Sequence, residues 1–111
     1  MGRKFTNKEK EAVLHFVHAE AVETSAMLYL KPELVDKKYK DLKPVVFEYD
    51  KMFDKIKELE DWCGYVGVPS VAKRDIGKAI ITTVADECTS LIMKFLKNDD
   101  LKSLKRYPEG L

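Results

Sequence analysis

The sequence predicts an all-α protein: an antiparallel bundle of three long helices, with a short connecting helix and a short C-terminal helix. Three observations carry that expectation. An apolar seam runs Leu42, Val45, Tyr49, Met52, Ile56, Leu59, Cys63. Its steps of three and four average 3.5 residues, the period of a helix packed along another. Two further stretches, residues 7–30 and 70–97, repeat apolar residues at helical spacing. Punctuation separates the three: Pro32, then the turn at residues 64–69, then Asn98, Asp99 and Asp100.

The first helix is expected over residues 7–30. Thr6 or Asn7 can cap it, and Glu9 and Glu11 place negative charge where the helix dipole favours it. Its stripe is Leu14, Val17, Ala21, Ser25 and Leu28, while Phe16 and Met27 fall on another face. Pro32 stops it, because the residue before a proline avoids the α region.

Residues 31–40 hold one or two helical turns, with Pro32 at a first helical position. Asp41 is the expected cap of the second helix, which tolerates Pro44 in its first turn and reaches Cys63, where Gly64 supplies a left-handed stop. The third helix opens at Pro69 and Ser70 and continues to Lys97 along Ile76, Ile80, Val84, Cys88, Leu91 and Phe95. Gly77 within that stripe implies a close approach by a neighbouring helix, opposite Ile56 in the antiparallel register. Asp99 or Asp100 caps a last short helix through Leu101 and Leu104.

A chain of 111 residues has room for one core, and the expected organisation is one domain over 1–106 with a flexible tail at 107–111. The 45% hydrophobic and 35% charged content argues for a folded chain rather than a disordered one. A net charge of +1 removes the footprint of a dedicated nucleic-acid binder. The charged start of the chain lacks a signal-peptide pattern, and no apolar run approaches the roughly 20 residues that cross a bilayer. A cytoplasmic location with no membrane partner is the expectation. In the antiparallel hairpin Cys88 stands about 27 Å along the third helix from its start, too far from Cys63 for a disulfide. Both are read as buried reduced thiols.

Candidate chemistry is sparse. Glu11, His15 and His18 share one side of the first helix and could give half a zinc site, but no further ligand completes it. The expectation is no metal and no cofactor. The pairs Glu20–Glu23, Glu33–Asp36 and Glu58–Asp61 have the ExxE and ExxD spacing. That spacing resembles the magnesium-holding pairs of all-α nucleotide pyrophosphohydrolases, and the resemblance is confined to it. It implies a metal-dependent enzyme as a further alternative, although these acids point away from the stripes and suit solvated faces. Phosphate-binding glycine loops and nucleophile elbows are absent.

Lysines offer another alternative. Lys37, Lys38, Lys40 and Lys43 surround Tyr39, and Lys73, Arg74 and Lys78 open the third helix, so a nucleic-acid contact through a local basic patch is the runner-up. The favoured reading is a non-catalytic interaction or regulatory protein, not an enzyme. An accessory or inhibitor protein of a phage or mobile element fits its size. Phe16, Met27, Met93 and Leu96 are apolar residues that a monomeric bundle leaves over, and they define the expected interaction surface. A homo-oligomer or a protein partner would cover them.

Overall fold

A computed structural model describes residues 4–97. Those residues are mostly helical, with no strand among them. Four α-helices follow in order: α1 (Asn7–Leu14), α2 (Ala21–Leu30), α3 (Met52–Glu58) and α4 (Arg74–Leu96). Short 3₁₀ turns lie at Pro32–Leu34, Lys37–Asp41, Tyr49–Lys51 and Pro69–Val71. The expected C-terminal helix and the tail at 107–111 fall outside the described residues.

Of the three long helices expected, α4 alone is long. The start of α1 follows the sequence signals. Thr6 accepts the Glu9 N–H at 3.3 Å while the Glu9 carboxylate accepts the Thr6 N–H at 2.9 Å, which is a complete capping box. The helix expected over 7–30 breaks after Leu14. Ala19 adopts φ 49°, and the Glu20 carboxylate then caps α2 by accepting the N–H groups of Val22 and Glu23 at 2.8 and 3.1 Å. Glu11, His15 and His18 therefore do not share a helix face.

The helix expected over residues 41–63 is reduced to the seven residues of α3. Asp41 ends a 3₁₀ turn instead of capping a helix, and Asp36 caps that turn through the Lys38 N–H. Pro44 and the β-branched pair Val45–Val46 favour extended backbone, and a partner satisfies it. Val45 and Gly67 exchange N–H···O bonds of 2.9 and 2.6 Å. His18 and Val66 do the same at 3.4 and 2.9 Å. The seam residues Tyr49 and Cys63 accordingly face solvent, whereas Met52 is buried. The thiols Cys63 and Cys88 are free, as expected, but both are exposed.

Packing centres on the crossing of α2 and α4. Gly77 and Ile76 are buried there, and a β-carbon on Gly77 would overlap the Ser25 carbonyl. The close approach read from Gly77 is real, but its partner is α2, not the chain around Ile56. Ser25 also accepts the Lys73 N–H on Oγ at 3.0 Å, which fixes the first turn of α4 against α2. The Arg74 guanidinium lies over the Tyr29 ring. α1 packs on α2 and on the turn Pro69–Val71, and the Lys73 ammonium reaches its buried Glu9 at 2.9 Å. Beyond this crossing, residues 82–93 of α4 are all exposed.

Candidate functional site

The break between α1 and α2 is where the chain builds concave surface. Residues 65–67 run between two stretches, bonded to His18 on one side and to Val45 on the other. Gly67 holds φ 135°, and a side chain there would strike Glu20 and the His15 carbonyl, so only glycine lets this segment lie against the start of α2. Neighbouring residues of extended backbone face opposite sides. The result is one wall with a groove on each side.

The larger groove, of about 710 Å³, lies among α2, the 3₁₀ turns after it and residues 63–65. Met27, Leu34, Val35 and Leu42 give it apolar walls, and Glu23 and Asp36 are its carboxylates. Each carboxylate already accepts one backbone N–H: Glu23 from Ala19, Asp36 from Lys38. A carboxylate has about four lone-pair positions, so both retain capacity for a ligand. Tyr65 seals the base. Its hydroxyl donates to the Lys43 carbonyl at 2.7 Å, and its own carbonyl accepts the Trp62 Nε1–H at 3.2 Å. Burial, with the Cys63 thiol nearby, pushes the Tyr65 hydroxyl above its ordinary range.

The second groove, of about 570 Å³, is aromatic: Phe16, His18, Tyr49, Phe53 and Trp62 line it, with Val66 from the shared wall. The His18 and Trp62 rings stand 6.0 Å apart at 36°. Beneath the wall Glu20 is fully buried. Burial raises its carboxyl above the ordinary value, and the backbone N–H groups of Val22 and Glu23 oppose part of that rise.

The residues singled out in the sequence are scattered by this geometry. Phe16 lines the aromatic groove and Met27 the larger one, while Met93 and Leu96 lie on the exposed end of α4. Lys37, Lys38 and Lys40 sit on one 3₁₀ turn and Lys43 follows it, all exposed. Lys73 and Arg74 are engaged by Glu9 and Tyr29, and Lys78 lies one turn further along α4. The acidic pair Glu20–Glu23 turns out to be a helix cap with one buried member, not a solvated face. Glu33 lies within the 3₁₀ turn Pro32–Leu34, Asp36 caps the next turn, and Asp61 lies beyond the end of α3. Met27, Glu23, Asp36 and Lys38 each stand out in the sequence for separate reasons. The residues of the larger groove had no signal as a set, because they converge only once the chain has broken at residues 15–20.

The larger groove, with two carboxylates at an apolar wall, has the size and lining of a small-molecule pocket on a helical frame. Comparison with known families identifies the chain further. The family model of creatinine amidohydrolase, creatininase, matches residues 2–92, and the chain belongs to the creatininase family. Neither the curated proteins nor the solved structures compared with the chain match it.

This membership corrects the functional expectation. An amidohydrolase family is a family of enzymes, against the reading of a non-catalytic interaction or regulatory protein. It displaces the phage accessory or inhibitor reading as well, and the creatininase match replaces the pyrophosphohydrolase alternative. The family is one of metal-dependent hydrolases. The described residues do not fit a resident metal: no three of their His, Cys, Asp or Glu side chains stand close enough to hold an ion. Both Glu20 oxygens are occupied by its cap, and His15 lies past the end of α1. Among the described residues no helix is long and apolar enough to cross a membrane.

Proposed function

We propose that this chain takes a small cyclic amide of the creatinine type into the groove beside α2 and takes part in its hydrolysis. The family match over residues 2–92 is the observation that carries this reading. The groove supports it by size, since about 710 Å³ lies within the range of small-molecule pockets, roughly 300–1,000 Å³. Its apolar walls suit a planar ring, and the Glu23 and Asp36 carboxylates suit the ring's N–H groups.

Opening a cyclic amide adds water to the carbonyl carbon, breaks the ring C–N bond and delivers a proton to the leaving nitrogen. Within the groove the acceptor for the water's proton is Glu23 or Asp36, the two carboxylates in its lining. Tyr65 keeps the floor closed through its bond to Lys43.

The test is incubation of the full chain with creatinine, alone and with added zinc or manganese, following substrate loss and ring-opened acid by mass spectrometry. Turnover is expected, and Glu23→Gln and Leu42→Trp should each lower it, the first by removing one of the two carboxylates and the second by filling the groove. Absence of both product and calorimetric binding, with and without metal, would overturn the reading.

A further inference from the structure

The apolar stripe of α4 outruns its partner. At 100° per residue Gly77, Val84, Cys88, Leu91 and Phe95 share one side of the helix. Gly77 uses that side to meet α2. Past the crossing the same side continues into solvent, with Val84 49%, Leu91 43% and Phe95 66% exposed, and Ile92 beside them at 57%. Four large apolar groups on a rigid helix that is anchored at its other end form a ready-made docking ridge.

Charge identifies the occupant. Glu87 and Lys94 lie seven residues apart, so both sit on the same flank of the stripe. The opposite flank carries Ala85, Thr89 and Leu96 and has no charge. In a parallel helix pair each flank meets the opposite flank of its partner, and Glu87 would find no cation. In an antiparallel pair each flank meets its own copy reversed. A two-fold axis beside Leu91 then sets Glu87 against Lys94 of the second copy, and Lys94 against Glu87, in one closed arrangement. Leu91 packs near the axis, with Val84 and Phe95 towards the ends.

We propose that the exposed half of α4, from Val84 to Leu96, is a self-association surface that pairs antiparallel with α4 of a second copy. The surface is self-complementary in apolar pattern and in charge. It is separate from both grooves, so association leaves them open.

Sedimentation velocity on the full chain, from low to high micromolar concentration, tests this. A monomer–dimer equilibrium is expected, and Leu91→Glu should give a monomer with unchanged helicity, since Leu91 is exposed within the described chain. Glu87→Lys and Lys94→Glu should each weaken the dimer about tenfold, and the double exchange should restore it to within about threefold of the parent. Alkylation of Cys88 should slow as the chain concentration rises. A wild-type monomer at every concentration would overturn the proposal and leave residues 98–111 or another protein as the cover of this face. A dimer indifferent to Leu91→Glu, or one that the double exchange does not restore, would overturn it equally.

Discussion

The Lys73 ammonium stands 2.9 Å from the carboxylate of Glu9, which is almost fully buried, and so joins the first turn of α1 to the residue that precedes α4. Glu9 is at the same time the acidic member of the capping box with Thr6. One carboxylate therefore stabilises a helix start and a tertiary contact together. Lys73→Met keeps the aliphatic stem and removes the ammonium. It is expected to cost about 1–2 kcal/mol in urea unfolding; the exposure of Lys73 keeps the loss below that of a fully buried pair. A midpoint that does not move would mean that solvent replaces the ammonium without loss.

Gly77→Ala tests the crossing of α2 and α4. The added methyl overlaps the Ser25 carbonyl, a backbone group that can move only with its helix. In a solvated helix this exchange would stabilise by up to about 1 kcal/mol. Here the helices must separate, and a loss of about 3 kcal/mol is expected in thermal or urea melts. A stabilised variant would place α2 elsewhere.

Glu20 gives the fold a pH dependence of defined sign. Its carboxyl titrates above the ordinary value of 4.5 because burial disfavours the charged form. The folded state thus binds the proton more tightly than the unfolded chain does. The stabilising contribution is full below the unfolded value and is lost as pH rises through the folded one. Unfolding free energy measured from pH 4 towards neutrality should carry this decline, and Glu20→Gln should remove it while keeping an acceptor for the Val22 and Glu23 N–H groups. Equal slopes in the two proteins would assign the dependence to other groups.

Cys63 offers a direct check on the shortened α3. A seam running to residue 63 would bury this thiol, whereas the structure exposes it. In a Cys88→Ser background Cys63 should react with a thiol reagent in the native protein at a rate close to that of the unfolded chain. Protection by a factor of about one hundred or more, the signature of access through rare opening, would restore the longer helix.

Where the signals were local, the fold was legible. Thr6 with Glu9, Pro32 and the stripe of α4 each act within a few residues, and each marks an expected feature. Pro69 instead opens a 3₁₀ turn, and the helix expected from it starts only at Arg74. The break at residues 15–20 and the extended run around Val45 depend on segments distant in sequence. Glu20 becomes a buried cap only because Gly67 can approach it, and Val45 stays extended because Gly67 completes its hydrogen bonds. A regular apolar period from Leu42 to Cys63 describes side-chain spacing alone and carries no information about that competing partner. The site was less legible still. Its lining comes from α2, two turns and a loop, so no window of sequence contains it. The family match likewise extends over residues 2–92.

The wall at residues 65–67 has a dynamic consequence. Its four backbone hydrogen bonds to His18 and Val45 are the shared boundary of both grooves. Any fluctuation that parts them must deform the two cavities in one event. The amides of Val45, Val66 and Gly67 should therefore exchange with solvent deuterium at a common opening free energy, behaving as one cooperative unit. A ligand seated in either groove should slow all three together, and occupancy of one groove would thereby be transmitted to the shape of the other.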